Sequence, residues 1–118
     1  MPYARGDVLL VPFPFTDLSR QKPRPAVVVS SEEFNQENED IILVALSSKI
    51  ERELQQTDFL ISEQDEGFME TGLRVSSLVR CGKVITMHKS LVLMQLGTFN
   101  TTFMAITEEH LAEALGLT

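Results

Sequence analysis

The residues able to do chemistry in this chain are few, and most are basic or hydroxylic. Arg24 stands between Pro23 and Pro25, just ahead of the apolar run Ala26-Val27-Val28-Val29. Flanking prolines fix the local backbone, so the guanidinium can be offered to phosphate oxygens as a rigid donor fork. From the residues alone, the favoured reading is a surface arginine capping a strand. Ser47 and Ser48 close the apolar run Ile41 to Leu46, where serine is ordinarily a turn former. His88 has a side chain suited to acid–base work, but a lone histidine near a strand end is more often structural or solvated.

Several chemistries are excluded by what the sequence lacks. Cys81 is the only cysteine, so it has no internal disulfide partner and supplies no cysteine cluster for zinc. The histidines, His88 and His110, stand outside any metal-ligand spacing, and neither a metal nor another cofactor is expected. There is no GxxxxGK[ST] loop and no GxGxxG turn, the two common phosphate cradles. A serine hydrolase built on Ser47 is disfavoured, because no GxSxG element or well-placed histidine accompanies it.

These side chains must be positioned by a small scaffold. The 118 residues, 43% of them apolar, predict one domain over 1–118. No 18-residue apolar run or basic-then-apolar leader is present, so neither a membrane partner nor export is expected, and the expected compartment is the cytoplasm. Val8 to Val11, Ala26 to Val29 and Ile41 to Leu46 read as strands. The polar stretch Phe15 to Pro23 is too long for a tight hairpin and reads as a surface loop. Ser30-Ser31-Glu32-Glu33 predicts one capped helical turn.

Further on, Thr57 to Ser62 reads as a strand and Glu63 to Glu70 as a turn region. Leu73 to Met87 reads as strand structure with a bulge or bend at Gly82. Leu91 to Phe99 fits strand or helix. A terminal helix is expected to start at Thr107, with Glu108 and Glu109 in its first turn and Gly116 as its stop. Met69, Met87, Met94 and Met104 are expected to be packing residues. The fold class predicted is mainly β, a small and strongly bent sheet or barrel with a C-terminal helix.

The net charge of −7 argues at first against a nucleic-acid partner. It is unevenly spread. Residues 31–72 carry twelve acids against Lys49 and Arg52, whereas residues 1–30 are net +2 and residues 73–118 net +1. A basic patch forms if the two ends meet, with the acidic middle as a solvated face away from it.

Arg5-Gly6-Asp7-Val8, then Lys22-Pro23-Arg24-Pro25-Ala26-Val27-Val28-Val29-Ser30, then Ile42-Leu43-Val44-Ala45-Leu46-Ser47 resemble, in that order and spacing, the MazF/PemK family of toxin endoribonucleases of type II toxin–antitoxin modules. The resemblance continues through Thr57-Asp58-Phe59, Ser77-Leu78-Val79-Arg80-Cys81 and Leu115-Gly116-Leu117, nearly the whole chain. It implies an SH3-like barrel of five to seven strands with a C-terminal helix, working as a homodimer. The Phe99 to Leu117 segment and neighbouring strands are candidate dimer surfaces. The implied activity is metal-independent cleavage of single-stranded RNA. The implied partners are that RNA and a cognate antitoxin, with operator DNA reached only through the antitoxin complex.

By resemblance, the catalytic residues are Arg24, Ser47 and Arg80. Ser48 is the fallback for Ser47, and Thr16, Arg20 and Lys22 belong to a loop that folds over RNA or antitoxin. The remaining RNA-contact candidates are Thr57, Asp58, Phe59, Ser76 and Lys83, with Phe13 and Phe15 as further stacking candidates. One branch of the family has an aspartate two residues after the arginine that Arg80 matches, and here that position is Gly82. Three readings of the gap stand open: Arg24 and Ser47 suffice, a carboxylate such as Asp58 takes over, or activity is reduced. The first is preferred.

Overall fold

The computed structural model describes residues 2–13, 22–50 and 54–117. Six strands form one antiparallel sheet: β1 (Asp7–Pro12), β2 (Pro23–Val28), β3 (Asp40–Ser47), β4 (Asp58–Ile61), β5 (Ser77–His88) and β6 (Met94–Thr98), in the order β4-β5-β3-β2-β1-β6. Helix α1 (Glu32–Glu37) joins β2 to β3, and α2 (Thr101–Leu115) closes the chain. The expected β-rich architecture with a C-terminal helix is therefore what forms, and the ambiguous Leu91 to Phe99 segment contributes a strand.

Both faces of the central strands are covered, which is why their sequences are nearly continuous β-branched runs. Alternate residues feed two apolar layers. Val8, Val27, Val44, Leu46, Ile61, Val79 and Cys81 meet Phe99 and Phe103 on one side, and Leu9, Val11, Ala26, Val28, Ile41, Leu43 and Ala45 form the other with Phe13 and Met87. The first side is where α2 lies against β5. The Cys81 thiol donates to the Thr107 carbonyl at 3.7 Å, and burial, with Asp58 nearby, pushes its pKa from 9.0 up to about 12.

The local signals held for α1, which Ser31 caps by accepting from the Phe34 amide at 3.1 Å. They misplaced the start of α2. The cap is Asn100, whose Oδ1 accepts from the Phe103 amide at 2.7 Å. Thr107 is fully buried inside the helix and donates to the Phe103 carbonyl at 2.8 Å. A Thr-Glu-Glu run imitates a helix start, but a hydroxyl that bonds back one turn is equally at home mid-helix. Gly116 does end the helix, with φ of +72°.

The bend predicted at Gly82 is a break in register. Val44 pairs with Val84, but the next residue, Ala45, pairs with Arg80, so residues 81–83 are looped out of the ladder. The packing expectation for the methionines holds for Met87 and the half-buried Met104, whereas Met69 and Met94 are exposed. Met69 sits in a single 3₁₀ turn, Met69–Thr71, that displays its side chain to solvent, and Met94 opens the edge strand β6.

Candidate active site

Strand register gathers the polar residues. Asp58 on β4 lies across from Arg80 on β5, Arg80 across from Ala45 on β3, and Ala45 across from Ala26 on β2. Directly paired residues share a face of a sheet, and alternation puts Arg24 on the face of Ala26 and Ser47 on the face of Ala45. Continuing the β2–β3 register by two residues sets Arg24 opposite Ser47. Arg24, Ser47, Arg80 and Asp58 are thus on one face, at the end of the sheet where β3 stops and β4 begins.

Their exposures differ. Arg24 is half-buried, while Ser47 and Arg80 are buried at 8% and 7%. The Ser47 hydroxyl accepts from the Lys49 amide at 3.2 Å, which leaves its own proton to donate. Arg80 Nε donates to Asp58 Oδ1 at 3.0 Å, and the other Asp58 oxygen accepts from the Gln55 amide at 3.0 Å. Arg80 Nη1 is buried and has no hydrogen-bond partner among the described residues.

Arg24 also reaches the rim of a groove on the opposite side of the same sheet end, about 440 Å³ in volume. Ser48, exposed and one residue beyond Ser47, lines this groove with Ser77, Arg74 and the apolar Leu10, Pro25, Leu46, Leu73, Met94 and Leu96. Arg74 is a second cation here that no motif singled out; the positive balance of residues 73–118 was its only trace in the sequence. A groove with apolar walls and two guanidinium groups suits a flexible ligand carrying both bases and phosphates.

The remaining candidates scatter. Lys22 is exposed just ahead of β2, and Lys83 is half-buried in the looped segment. Thr57 is half-buried beside Gly82, and among the described residues a Cβ added to that glycine would meet the Thr57 hydroxyl alone, at 3.4 Å. Ser76 accepts from the Glu63 amide at 3.0 Å, which occupies it in a surface turn. Phe59 is half-buried and leans on His110 with ring centroids 5.0 Å apart, whereas Phe13 is buried in the core and offers no open ring for base stacking. Thr16, Phe15 and Arg20 lie outside the described residues. His88, at the far end of β5, is exposed and accepts from the Ser90 amide at 3.1 Å.

No group of three His, Cys, Asp or Glu side chains gathers into a metal-binding arrangement among the described residues, nor is any described helix long and apolar enough to cross a membrane. Residues 4–115 match the family model for the PemK-like, MazF-like toxin of type II toxin–antitoxin systems. The chain belongs to the PemK/MazF toxin family.

Solved structures carry the same fold. An endoribonuclease in complex with its cognate antitoxin, from a mycobacterial species, superposes with a TM-score of 0.76 at 22% identity, covering 98% of this chain and 97% of the other. The Mycobacterium tuberculosis toxin MazF-mt6 gives 0.74 at 14% identity over 95% and 98%. A chain of a MazE–MazF crystal structure from Deinococcus radiodurans gives 0.73 at 17% identity over 100% and 99%. No curated protein matches the sequence significantly. The PemK/MazF fold therefore persists here at low identity, as a short sheet whose register, rather than any contiguous motif, brings the polar residues to one end.

Proposed function

We propose that this chain is a toxin endoribonuclease that cuts single-stranded RNA, mRNA above all, at short sequences in the cytoplasm and without metal. The observation that carries the reading is the convergence of Arg24, Ser47 and Arg80 on one face at one end of the sheet, with Arg24 half-exposed at the rim of a groove. Family membership supports it. In the reaction a ribose 2′-oxygen bonds to the adjacent phosphorus while the bond to the 5′-oxygen breaks. The 2′-hydroxyl proton leaves to an acceptor and the 5′-oxygen gains one, giving a 2′,3′-cyclic phosphate and a 5′-hydroxyl.

Each side chain has a role its chemistry allows. Arg24 stabilises the charge on the five-coordinate phosphate and shuttles a proton: the one its guanidinium gives to the leaving 5′-oxygen is replaced by the one the 2′-hydroxyl gives up. Ser47 donates its hydroxyl to a phosphate oxygen, and Arg80 adds positive charge. A homodimer and a cognate antitoxin complete the proposed unit; the antitoxin competes with RNA for the same site, and operator DNA is reached only through it.

The test is cleavage of a long mixed-sequence RNA in EDTA, with the 5′ ends mapped. Discrete cuts with 5′-hydroxyl ends, lost in a folded Arg24→Ala variant, are expected; undiminished cutting by that variant overturns the assignment. A second reading, an RNA- or antitoxin-binding module with impaired catalysis, is favoured by one feature, the missing side chain at Gly82. A large gain of cleavage in Gly82→Asp supports that module, and no gain supports the arginine–serine site.

A further inference from the structure

The ion pair between Asp58 and Arg80 buries opposite charges and leaves part of one without a partner among the described residues. The Arg80 side chain is 9% exposed and the Asp58 side chain 1%. A buried guanidinium nitrogen without a partner carries a desolvation cost that nothing in the described residues offsets. Asp58, by contrast, is fully engaged, one oxygen on Arg80 Nε and the other on the Gln55 amide.

We propose that Asp58 is a positioning residue for the nuclease site: it fixes the Arg80 guanidinium through Nε so that the part of that side chain left open at the surface, 9% against 1% for Asp58, donates to a phosphate oxygen of bound RNA, making up for the absent carboxylate at Gly82. The proposal rests on the nuclease reading above. Two features separate positioning from proton transfer. The carboxylate is almost wholly enclosed, so a ribose hydroxyl does not reach it, and both of its oxygens already accept from donors. Its place in sequence differs from the one vacated at Gly82, but it follows directly on the residue that lies against position 82. Thr57 precedes Asp58 and is the residue nearest to a Cβ at position 82, while Arg80 precedes the looped segment that holds Gly82.

The experiment measures kcat and KM for cleavage of one RNA oligonucleotide in EDTA, with thermal melting of every variant. Asp58→Asn is expected to lower kcat about 10- to 100-fold with KM little changed, because a guanidinium shifted by about an ångström no longer meets the transition state. The double variant Asp58→Asn with Gly82→Asp is expected to recover most of that loss. Arg80→Lys keeps a cation for Asp58 to hold but offers no second nitrogen on a planar fork, so it is expected to lower kcat with the fold retained, and it stands in should Asp58→Asn fail to fold.

A folded Asp58→Asn that cuts as fast as wild type overturns the proposal alone, as does an Arg80→Lys variant of undiminished kcat. Failure of Gly82→Asp to rescue a folded Asp58→Asn also overturns it. A wild-type chain that cuts no RNA overturns the nuclease reading and this proposal with it.

Discussion

The two halves of β5 belong to one strand and live in different surroundings. Residues 77–81 are buried without interruption, and 78–80 are paired with both β3 and β4. Residues 82–88 are exposed or half-exposed apart from Met87, because β4 has ended and only β3 pairs with them. The looped segment around Gly82 divides them. The buried half carries Arg80 and its carboxylate partner and lies beside Ser47; the open half carries His88. A charged group in the first half is held in one geometry by desolvation and pairing, whereas one in the second is solvated and free to move. On the proposed reading that difference places the chemistry at the buried end, although its residues have less conventional acid–base side chains than the histidine at the other.

The strongest way to break this contrast is Arg24→Ala, since Arg24 lies on the same face as the buried end and supplies its exposed cation. A loss of cleavage of about 10³-fold or more is expected, the scale for removing an arginine that neutralises phosphoryl charge. Single-turnover rates, with circular dichroism to verify the fold, provide the check. Ser47→Ala follows with a loss of about 10²-fold, as for deletion of one donor to an oxyanion. Because the Ser47 hydroxyl accepts one bond among the described residues, from the Lys49 amide, the melting temperature of Ser47→Ala should barely change. Full activity in Ser47→Ala, with loss in Ser48→Ala, would transfer the role to the groove side of the sheet.

How much of this was legible in the sequence follows from the range of each signal. The three apolar runs, the Ser31 cap and the Gly116 stop are local, and all are present. The bend at Gly82 was also local, because a side-chain-free residue inside a strand marks a bulge. The start of α2 was missed: the real cap, Asn100, has no acidic residue in the turn after it, while Thr107-Glu108-Glu109 imitates one. The Asp58–Arg80 pair spans 22 residues and exists only through the β4–β5 register, which no local pattern specifies. Exposed Met69 and Met94 were unreadable for a related reason, since methionine pattern alone does not tell a core face from a groove wall.

The buried half makes a smaller prediction through Cys81. Its thiol titrates at about 12 in the folded chain against 9.0 as the ordinary value. Between these two the folded state keeps a proton that the unfolded chain releases, so this contribution to stability is fully present below about pH 9 and falls as pH rises toward 12. Melting temperatures measured across that interval should decline more steeply for wild type than for Cys81→Ala. In the folded protein the thiol should also resist iodoacetamide at neutral pH, because the thiolate is the reactive form. Parallel declines in the two proteins would mean that the buried half is looser than its packing indicates.

The smallest effect is the sharpest test of the contrast. His88 lies eight positions along β5 from Arg80, roughly 20 Å at the rise of a strand after allowing for the loop. A proton donor for the leaving oxygen must come within about 3 Å of it, so no single phosphate bound at Arg80 is served by both. What His88 does is local: it caps the turn at Lys89–Leu91 by accepting from the Ser90 amide and lies 3.5 Å from Glu39. With its side chain 48% exposed, losing that contact should cost little, as surface substitutions do, and His88→Ala should keep its cleavage rate within about twofold of wild type. Rates measured beside Ser47→Ala give the two ends of β5 a common scale. A tenfold fall in a folded His88→Ala would place acid–base work in the solvated half and leave the buried cluster a structural role.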